Sequence, residues 1–449
     1  MTYFISELAD ALQTGKTTAR ELMDACLAAI DCEDGRRAYM TVYEGAARAA
    51  ADDIDRQRAA GAALPPYAGI PLSIKDLFDE AGVVTRAGSK LLNAAPAASR
   101  DATVVARLRA AGFIVIGRTN MTEFAFSGLG MNPHYGHPRS PFDRDNAGGR
   151  ISGGSSSGSA VSISDGMAAA TIGSDTGGST RAPAAFCGIV GFKPTAGRMP
   201  ATGVYPLSTS FDAAGPMGNS AACCAILDDI MAGGTGAVET PFPVRGLRIA
   251  VPRGYLFEGL DPAVSTAFEA GLSRLAAAGA VITDISIDIL ESVRPANNPK
   301  SIVAAEAYHH HEAMMADPAQ KAQYDPYIAL RIMGGQSLTA ADYINAFALR
   351  DRTKKEVQQI TRPFDVLALP TSPIIPPMIA DMKSSDDMMK TSGMTLRNTT
   401  LSNYLDRPTI SIPCHPEGGA PVGFSLMGSH KHDRRLLAIA MGCEAHIRG

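Results

Sequence analysis

Two glycine–serine runs and one lysine carry most of the chemical potential of this 449-residue sequence. From Gly148 to Pro183 the chain reads GGRISGGSSSGSAVSISDGMAAATIGSDTGGSTRAP. A flexible linker is one reading of such a tract. A small-residue helix over 159–170 and a short strand or turn over 171–174 interrupt it, and a second Gly-Gly-Ser follows. Glycine turns on both sides of a helix made of Ala, Ser, Val and Met imply close backbone approach inside a core.

Three chemistries compete for the tract. Phosphate cradling requires G-x-x-x-x-G-K-[ST], and neither glycine run ends in Lys-Ser or Lys-Thr. Gly154-Ser155-Ser156-Ser157-Gly158 matches the G-x-S-x-G nucleophile elbow, which would make Ser156 the nucleophile. That elbow needs a buried strand directly before it, yet Asn146 to Gly153 is polar and glycine-rich. It also needs a downstream acid and histidine, and the later histidines (309–311, 415, 430, 432 and 446) offer no compelling partner. In the third reading both runs belong to one site. Gly177-Gly178-Ser179 then puts a hydroxyl on a turn whose N–H groups converge, supplying nucleophile and oxyanion hole together. With no His–Asp pair in view, a lysine can serve as base if burial lowers its pKa from about 10.4 toward 7–8. Lys75 ends the apolar run Ile70–Ile74 and is placed for that role.

Periodicity indicates which elements must position these groups. Leu8, Leu12, Leu22, Leu27 and Ile30 recur at mostly helical steps, so residues 5–60 read as helical. Gly69 to Ile74 reads as a short buried strand ending at Lys75-Asp76. A helix from Asp101 through Leu108 stops at Gly112, and Phe113–Ile116 is a strand. Leu247–Val251, Ala280–Thr283, Asp365–Leu369, Thr409–Ile412 and Val422–Leu426 are further strand candidates, with helical segments between several of them. The alternation predicts one large α/β domain over 1–449, with a mixed, mostly parallel twisted β-sheet flanked by helices on both faces. Its parts are N-terminal helices over 1–65, a core over 66–235 and a helical cap or insertion over 290–360.

Composition narrows the class. The chain is 45% hydrophobic and 19% charged, as in soluble globular proteins. A net charge of −4 gives no basic face for nucleic acid or an anionic membrane. Seven cysteines without a C-x-x-C pair read as reduced thiols. No signal peptide is visible in Met1–Ala11, and Asp165 interrupts the best apolar stretch. The expected location is the cytoplasm.

GGSSSGSAVSISDGMAAATIGSDTGGSTRAPAAFCGIVGFKPTAGR (153–198) resembles the Gly/Ser-rich block that defines the amidase-signature family. YAGIPLSIKDLFDEAGVVTRAGS (67–89) is similar to the segment bearing that family's catalytic lysine, and DATVVARLRAAGFIVIGRTNMTEFAFSG (101–128) to its helix–strand–TNM segment. DVLALPTSPIIPP (365–377) and the stretch from NYLDRPTISIP to VGFSLMG (403–428) resemble its C-terminal landmarks. The likeness spans nearly the whole chain, and only 235–360 lacks distinctive motifs. It implies Lys75 as base, Ser155 after a cis peptide as bridging proton relay, and Ser179 as acyl-forming nucleophile. It further implies oxyanion amides at Thr176, Gly177, Gly178 and Ser179, and a main-chain substrate contact at Ala125. The implied reaction is hydrolysis of an amide, ester or carbamate (urethane) of a small molecule, with no cofactor and no metal. A homodimer is compatible with it, and neither nucleic acid nor membrane is an expected partner. The alternatives are the amidase subunit of a tRNA-dependent amidotransferase and a non-catalytic binding protein on the same scaffold.

Other residues invite weaker roles. Arg181 could bind a substrate carboxylate, but a clamp on the nucleophile loop is the plainer expectation. Asp175 before Thr-Gly-Gly reads as a turn former. His309-His310-His311 point in different directions on a helix, with no ligand pattern to complete a metal site. Cys223-Cys224 read as packing residues. The Met-rich stretch Met378–Met394 reads as a mobile loop, either a lid or plain surface.

Overall fold

Eleven strands form one sheet in the computed structural model, which describes residues 2–294 and 301–449. They are β1 (Tyr39–Val42), β2 (Pro71–Lys75), β3 (Ile114–Thr119), β4 (Ala170–Ser174), β5 (Val190–Lys193), β6 (Ala214–Gly218), β7 (Arg248–Pro252), β8 (Val281–Ile285), β9 (Val366–Pro370), β10 (Thr409–Pro413) and β11 (Gly423–Met427). Their order is β1-β3-β2-β4-β6-β5-β10-β11-β9-β7-β8, and helices flank the sheet. The expected single α/β domain with a mixed sheet is present.

The expected parallel majority is not. β2–β3, β2–β4, β7–β8 and β7–β9 run parallel. The pairs β1–β3, β4–β6, β6–β5, β5–β10, β10–β11 and β11–β9 run antiparallel. Helix–strand alternation in a sequence signals crossover connections, and these serve the two outer parts of the sheet. The centre uses strands joined by irregular chain, such as 194–213 and 414–422, which impose no parallel pairing. β5 (VGFK) and β6 (AGPMG) carry Gly and Pro, which hid them from a propensity reading.

The N-terminal region forms the helices Ile5–Gln13, Ala19–Ile30 and Glu44–Ala59. Thr18 and Glu21 close a capping box at the start of the second. The expectation of helix throughout 5–60 misses β1, whose Tyr-Met-Thr-Val pairs with the edge of β3. Within 290–360 the long helices are Ile302–Ala316, Pro326–Met333 and Ala340–Thr361, capped by Ser301, Asp325 and Thr339. Residues 295–300 of that region lie outside the described residues. Among the described residues no helix is long and apolar enough to cross a membrane.

Two local features aim the chemistry. In β2, side chains alternate, so Leu72 and Ile74 share one face while Ser73 and Lys75 share the other. Ser73 Oγ lies 2.9 Å from Ser162 Oγ on the helix Ser157–Ser164 and 2.7 Å from Thr171 Oγ1 on β4. The polar face of β2 therefore looks onto the glycine–serine tract. That helix is shorter than the expected 159–170 because Gly166, at φ 69°, ends it and Ala170 already begins β4.

Candidate active site

Lys75 is fully buried, with Nζ 2.7 Å from Ser155 Oγ and 2.8 Å from Ser174 Oγ. Among the described residues it forms no ion pair. Burial pushes its amine down to about 7, against an opposing pull from Asp175 and Asp212. A lysine in that state is neutral over much of the physiological range and can take a proton from a neighbouring hydroxyl.

Ser155 is delivered by a tight backbone passage. The Gly154–Ser155 peptide is cis, the isomer the resemblance implies. Gly154 N–H donates to the Gly128 carbonyl at 2.8 Å, and the Ser155 carbonyl accepts from Thr122 N–H at 3.1 Å. A Cβ on Gly154 would lie 2.5 Å from Gly130 N, so only glycine fits. Ser156, the nucleophile of the elbow reading, sends its hydroxyl to the Ser174 carbonyl at 3.3 Å, and no named strand leads into it. The elbow geometry is not built.

Ser179 follows β4 on the turn before the helix Arg181–Cys187. Its carbonyl accepts from Ser156 N–H at 3.3 Å, which brings the two glycine–serine turns together. Ser179 Oγ makes no hydrogen bond among the described residues. Gly178 at φ 134° has no room for a side chain, since a Cβ would meet Thr399 Oγ1 at 2.0 Å. Of the four amides expected to form the oxyanion hole, Gly178 N–H is already committed to Asp175 Oδ1 at 2.8 Å. Those of Thr176, Gly177 and Ser179 have no partner among the described residues. In this structure Asp175 holds the Gly178 amide to shape the turn.

A buried ion pair fixes that turn. Asp175 also accepts from Thr180 N–H (3.1 Å) and Thr180 Oγ1 (2.9 Å). Burial alone would raise its pKa, yet Arg181, Lys193 and Asn403 hold it well below the carboxylate range. The Arg181 guanidinium donates to both Asp175 oxygens, the Thr399 carbonyl, Ser402 Oγ and Asn403 Oδ1 at 2.6–3.0 Å. With every nitrogen engaged, Arg181 is the clamp and has no donor left for a substrate.

Ala125, Thr176, Gly177 and Ser179 line one cavity of about 230 Å³ with Phe126, Leu207, Phe211, Ile302 and Leu396. Ala125 sits at φ 60° in the 3₁₀ turn Glu123–Ala125, and its N–H donates to the Thr122 carbonyl at 3.0 Å. Its neighbour Glu123 ties the turn to Ser89 Oγ (2.6 Å), His134 Nε2 (3.0 Å) and Asp325 N–H (2.7 Å). Gly178 does not line the cavity, and Lys75 and Ser155 are buried outside its lining.

Some participants had no local signal. Ser174 is a second partner of Lys75 whose only hint was its place in the Gly/Ser block. Asp212, which burial pushes up to about 6, receives the Thr176 hydroxyl and the Leu207 and Ser208 N–H groups. Met378–Met394 is not a mobile loop. Ser384 caps a helix, Ser385–Leu396, with Asp386 and Asp387 in its first turn. Ser392 Oγ of that helix accepts from Gly128 N–H at 3.1 Å, and Leu396 walls the cavity. Of the three consecutive histidines, His309 is exposed while His311 is buried against Tyr324 Oη at 2.9 Å. Cys223 and Cys224 are buried, with Cys223 Sγ accepting from Ile5 N–H at 3.4 Å.

The chain has a clear set of relatives. The Amidase family model matches residues 21–437. Over 448 aligned positions the chain is 34% identical to 2-amino-5-chloromuconic acid deaminase of Comamonas testosteroni, covering 99% of this chain and 96% of the relative. It is also 34% identical, over 471 positions, to a glutamyl-tRNA(Gln) amidotransferase subunit of Roseiflexus sp. (strain RS-1), covering 97% and 94%. A crystal structure of an amidase matches at 32% identity with a TM-score of 0.89, covering 100% of both chains. A family match over most of the chain, together with whole-length relatives and a shared fold, establishes that the chain belongs to the amidase family.

Proposed function

We propose that this amidase-family hydrolase cleaves a C–N acyl bond of a small molecule through an acyl-enzyme on Ser179, with Ser155 as proton relay and Lys75 as base. The observation that carries the reading is the buried Lys75 amine, lowered to about 7 and 2.7 Å from Ser155 Oγ, behind the turn that bears Ser179. Neutral Lys75 accepts the Ser155 proton, and Ser155 accepts the Ser179 proton as Ser179 Oγ attacks the carbonyl. Catalytic hydrogen bonds commonly tighten only with substrate bound, so Ser179 closes on Ser155 in the complex. The oxyanion rests on the unpartnered amides near Gly177 and Ser179, each such donor being worth about 3–4 kcal/mol. The relay then returns a proton to the departing amine, and water repeats the route to free the acid. Esters and carbamates fit the same sequence of steps.

The described helices of 301–361 act as a cap, since Ile302, Arg331 and Ala346 reach the cavity from them. Seven free cysteines support a cytoplasmic setting. The likeness to an amidotransferase subunit supports a second reading, glutamine hydrolysis for a partner. Free glutamine carries an ammonium group, and no carboxylate is found among the described residues lining the cavity, which favours the free-standing hydrolase.

The test is a fluorophosphonate adduct mapped by mass spectrometry, followed by a panel of p-nitroanilides, primary amides and carbamates. The adduct is expected on Ser179, with labelling and turnover both lost in Ser179→Ala. An adduct on Ser156 would overturn the assignment. Glutamine hydrolysis that appears only with partner subunits would favour the second reading.

A further inference from the structure

Three segments that wall the cavity meet at one carboxylate outside it. Phe211, Ile302 and Ala346 line the cavity and belong to one buried apolar cluster. They come from the irregular chain 194–213 and the helices Ile302–Ala316 and Ala340–Thr361. Glu306 follows Ile302 by four residues, hence on the same helix face, and is buried without lining the cavity. Its Oε2 accepts from Ser208 Oγ and from Ser210 N–H at 3.1 Å. Its Oε1 accepts from Ser210 Oγ and from Tyr343 Oη at 2.7 Å. Ser210 adjoins Phe211, and Tyr343 lies three residues before Ala346 on its helix. Glu306 forms no ion pair among the described residues. Burial raises its carboxyl, but these donors hold it below its ordinary value, so it is ionised at neutral pH. Just beyond Ser210, Asp212 receives the Thr176 hydroxyl, and Ala213 and Asp175 exchange backbone hydrogen bonds at 2.7 and 3.2 Å. The chain that Glu306 grips is thus anchored at its far end to the turn bearing Ser179.

We propose that Glu306 is a specificity-determining positioning residue: it latches both cap helices to the Phe211 loop and so fixes the walls that size the substrate's hydrocarbon group. This rests on Ser179 as the nucleophile. Hydrogen bonds to an ionised acceptor are stronger than those between neutral groups, and here four converge on one carboxylate from two other segments. An apolar pocket rejects a longer chain only while its walls hold, because walls that give way relieve the overpacking. Arg350 supplies a further tie between the helix Ala340–Thr361 and the loop. Its guanidinium lies 4.1 Å from the Phe211 ring centroid, and Nη1 donates to the Ser210 carbonyl at 3.5 Å. Removing Glu306 therefore loosens the walls without detaching the cap. A carboxylate kept only for stability would, when lost, lower the reaction of every substrate in equal proportion. A latch changes the ratio between substrates of different length.

The experiment uses the full chain and straight-chain alkyl fluorophosphonates from ethyl to dodecyl, with primary amides of matched chain length. The rate of Ser179 labelling and kcat/KM are read as ratios between neighbouring chain lengths, which do not depend on the fraction of folded enzyme. The wild type is expected to show a step of about 10-fold or more at the first chain that exceeds the pocket. Glu306→Ala should shrink that step to about 3-fold or less, and Glu306→Gln, which keeps the shape but not the charge, should shrink it in part. Ser208→Ala/Ser210→Ala should also shrink it, and adding Glu306→Ala to that pair should change little, since the groups act as one unit. If Glu306→Ala does not label, Glu306→Gln decides: a smaller step supports the proposal and an unchanged one overturns it. A step of wild-type size in a labelled Glu306→Ala, or no step in the wild type, overturns the latch and leaves Ser179 standing. Failure of the wild type to label at all sinks the nucleophile assignment, and this proposal with it.

Discussion

Replacing Lys75 by Met tests whether the amine is neutral in the folded protein. Burial lowers its pKa from 10.5 to about 7, and each unit is worth about 1.4 kcal/mol. The sign follows from proton binding. Below roughly pH 7 both folded and unfolded chains carry the charge, and folding bears the whole cost of about 5 kcal/mol. Between about 7 and 10.5 the unfolded chain still binds the proton and the folded one does not, so stability rises with pH. Above that window the cost disappears. Lys75→Met lacks this dependence, although it leaves Ser155 and Ser174 without the amine between them. That second effect shifts its stability by an amount that does not vary with pH, so the informative quantity is the change in the difference between variant and wild type. Matched urea titrations should show the wild type gaining about 2–3 kcal/mol on the variant between roughly pH 7.5 and 9.5. Activity in the wild type should rise along an acid limb centred near the lowered pKa, and Lys75→Met should lose at least about 10²-fold in kcat/KM. A difference in stability that stays flat over this window means that the folded lysine keeps its ordinary affinity for a proton, and the base role fails.

Further outcomes follow from neighbouring contacts. Ser155→Ala should lose amide hydrolysis more severely than hydrolysis of a matched activated ester, because only the amine must be protonated as it leaves; equal losses in kcat/KM would remove Ser155 from the relay. Gly178→Ala forces a side chain onto Thr399 Oγ1 at a φ of 134°, a strain of about 1–3 kcal/mol, so activity should collapse with modest loss of stability. Pairing it with Thr399→Gly, which removes both the Oγ1 and the Cβ that the new side chain would meet, should restore part of the activity, and no recovery would locate the damage elsewhere. Arg181→Met leaves Asp175 charged and unpaired in the core, and should cost about 3–5 kcal/mol in denaturant unfolding; a loss below about 1 kcal/mol would contradict the clamp.

Much of the site was legible because its signals are local. A strand buried at every position reads as a mostly apolar run, so β2 and its terminal Lys75 could be found from sequence. Tight turns that admit no Cβ must be glycine, so Gly154 and Gly178 marked where Ser155 and Ser179 lie. The long amidase-signature blocks pointed to the same residues. The helical character of the region after 301 likewise rests on short-range periodicity and on caps such as Thr339.

Tertiary structure alone decided what depends on distant partners. Strand direction at the sheet centre rests on pairing between segments such as β5 and β10, far apart in the chain. Asp175 could act as a turn former from sequence, but its capture of the Gly178 amide and of Arg181 required the fold. Asp212 meets Thr176, and Ser392 meets Gly128, only because separate loops converge there. The Lys75 pKa belongs to the same class: desolvation is a property of everything packed around the amine, and no window of neighbouring residues contains it.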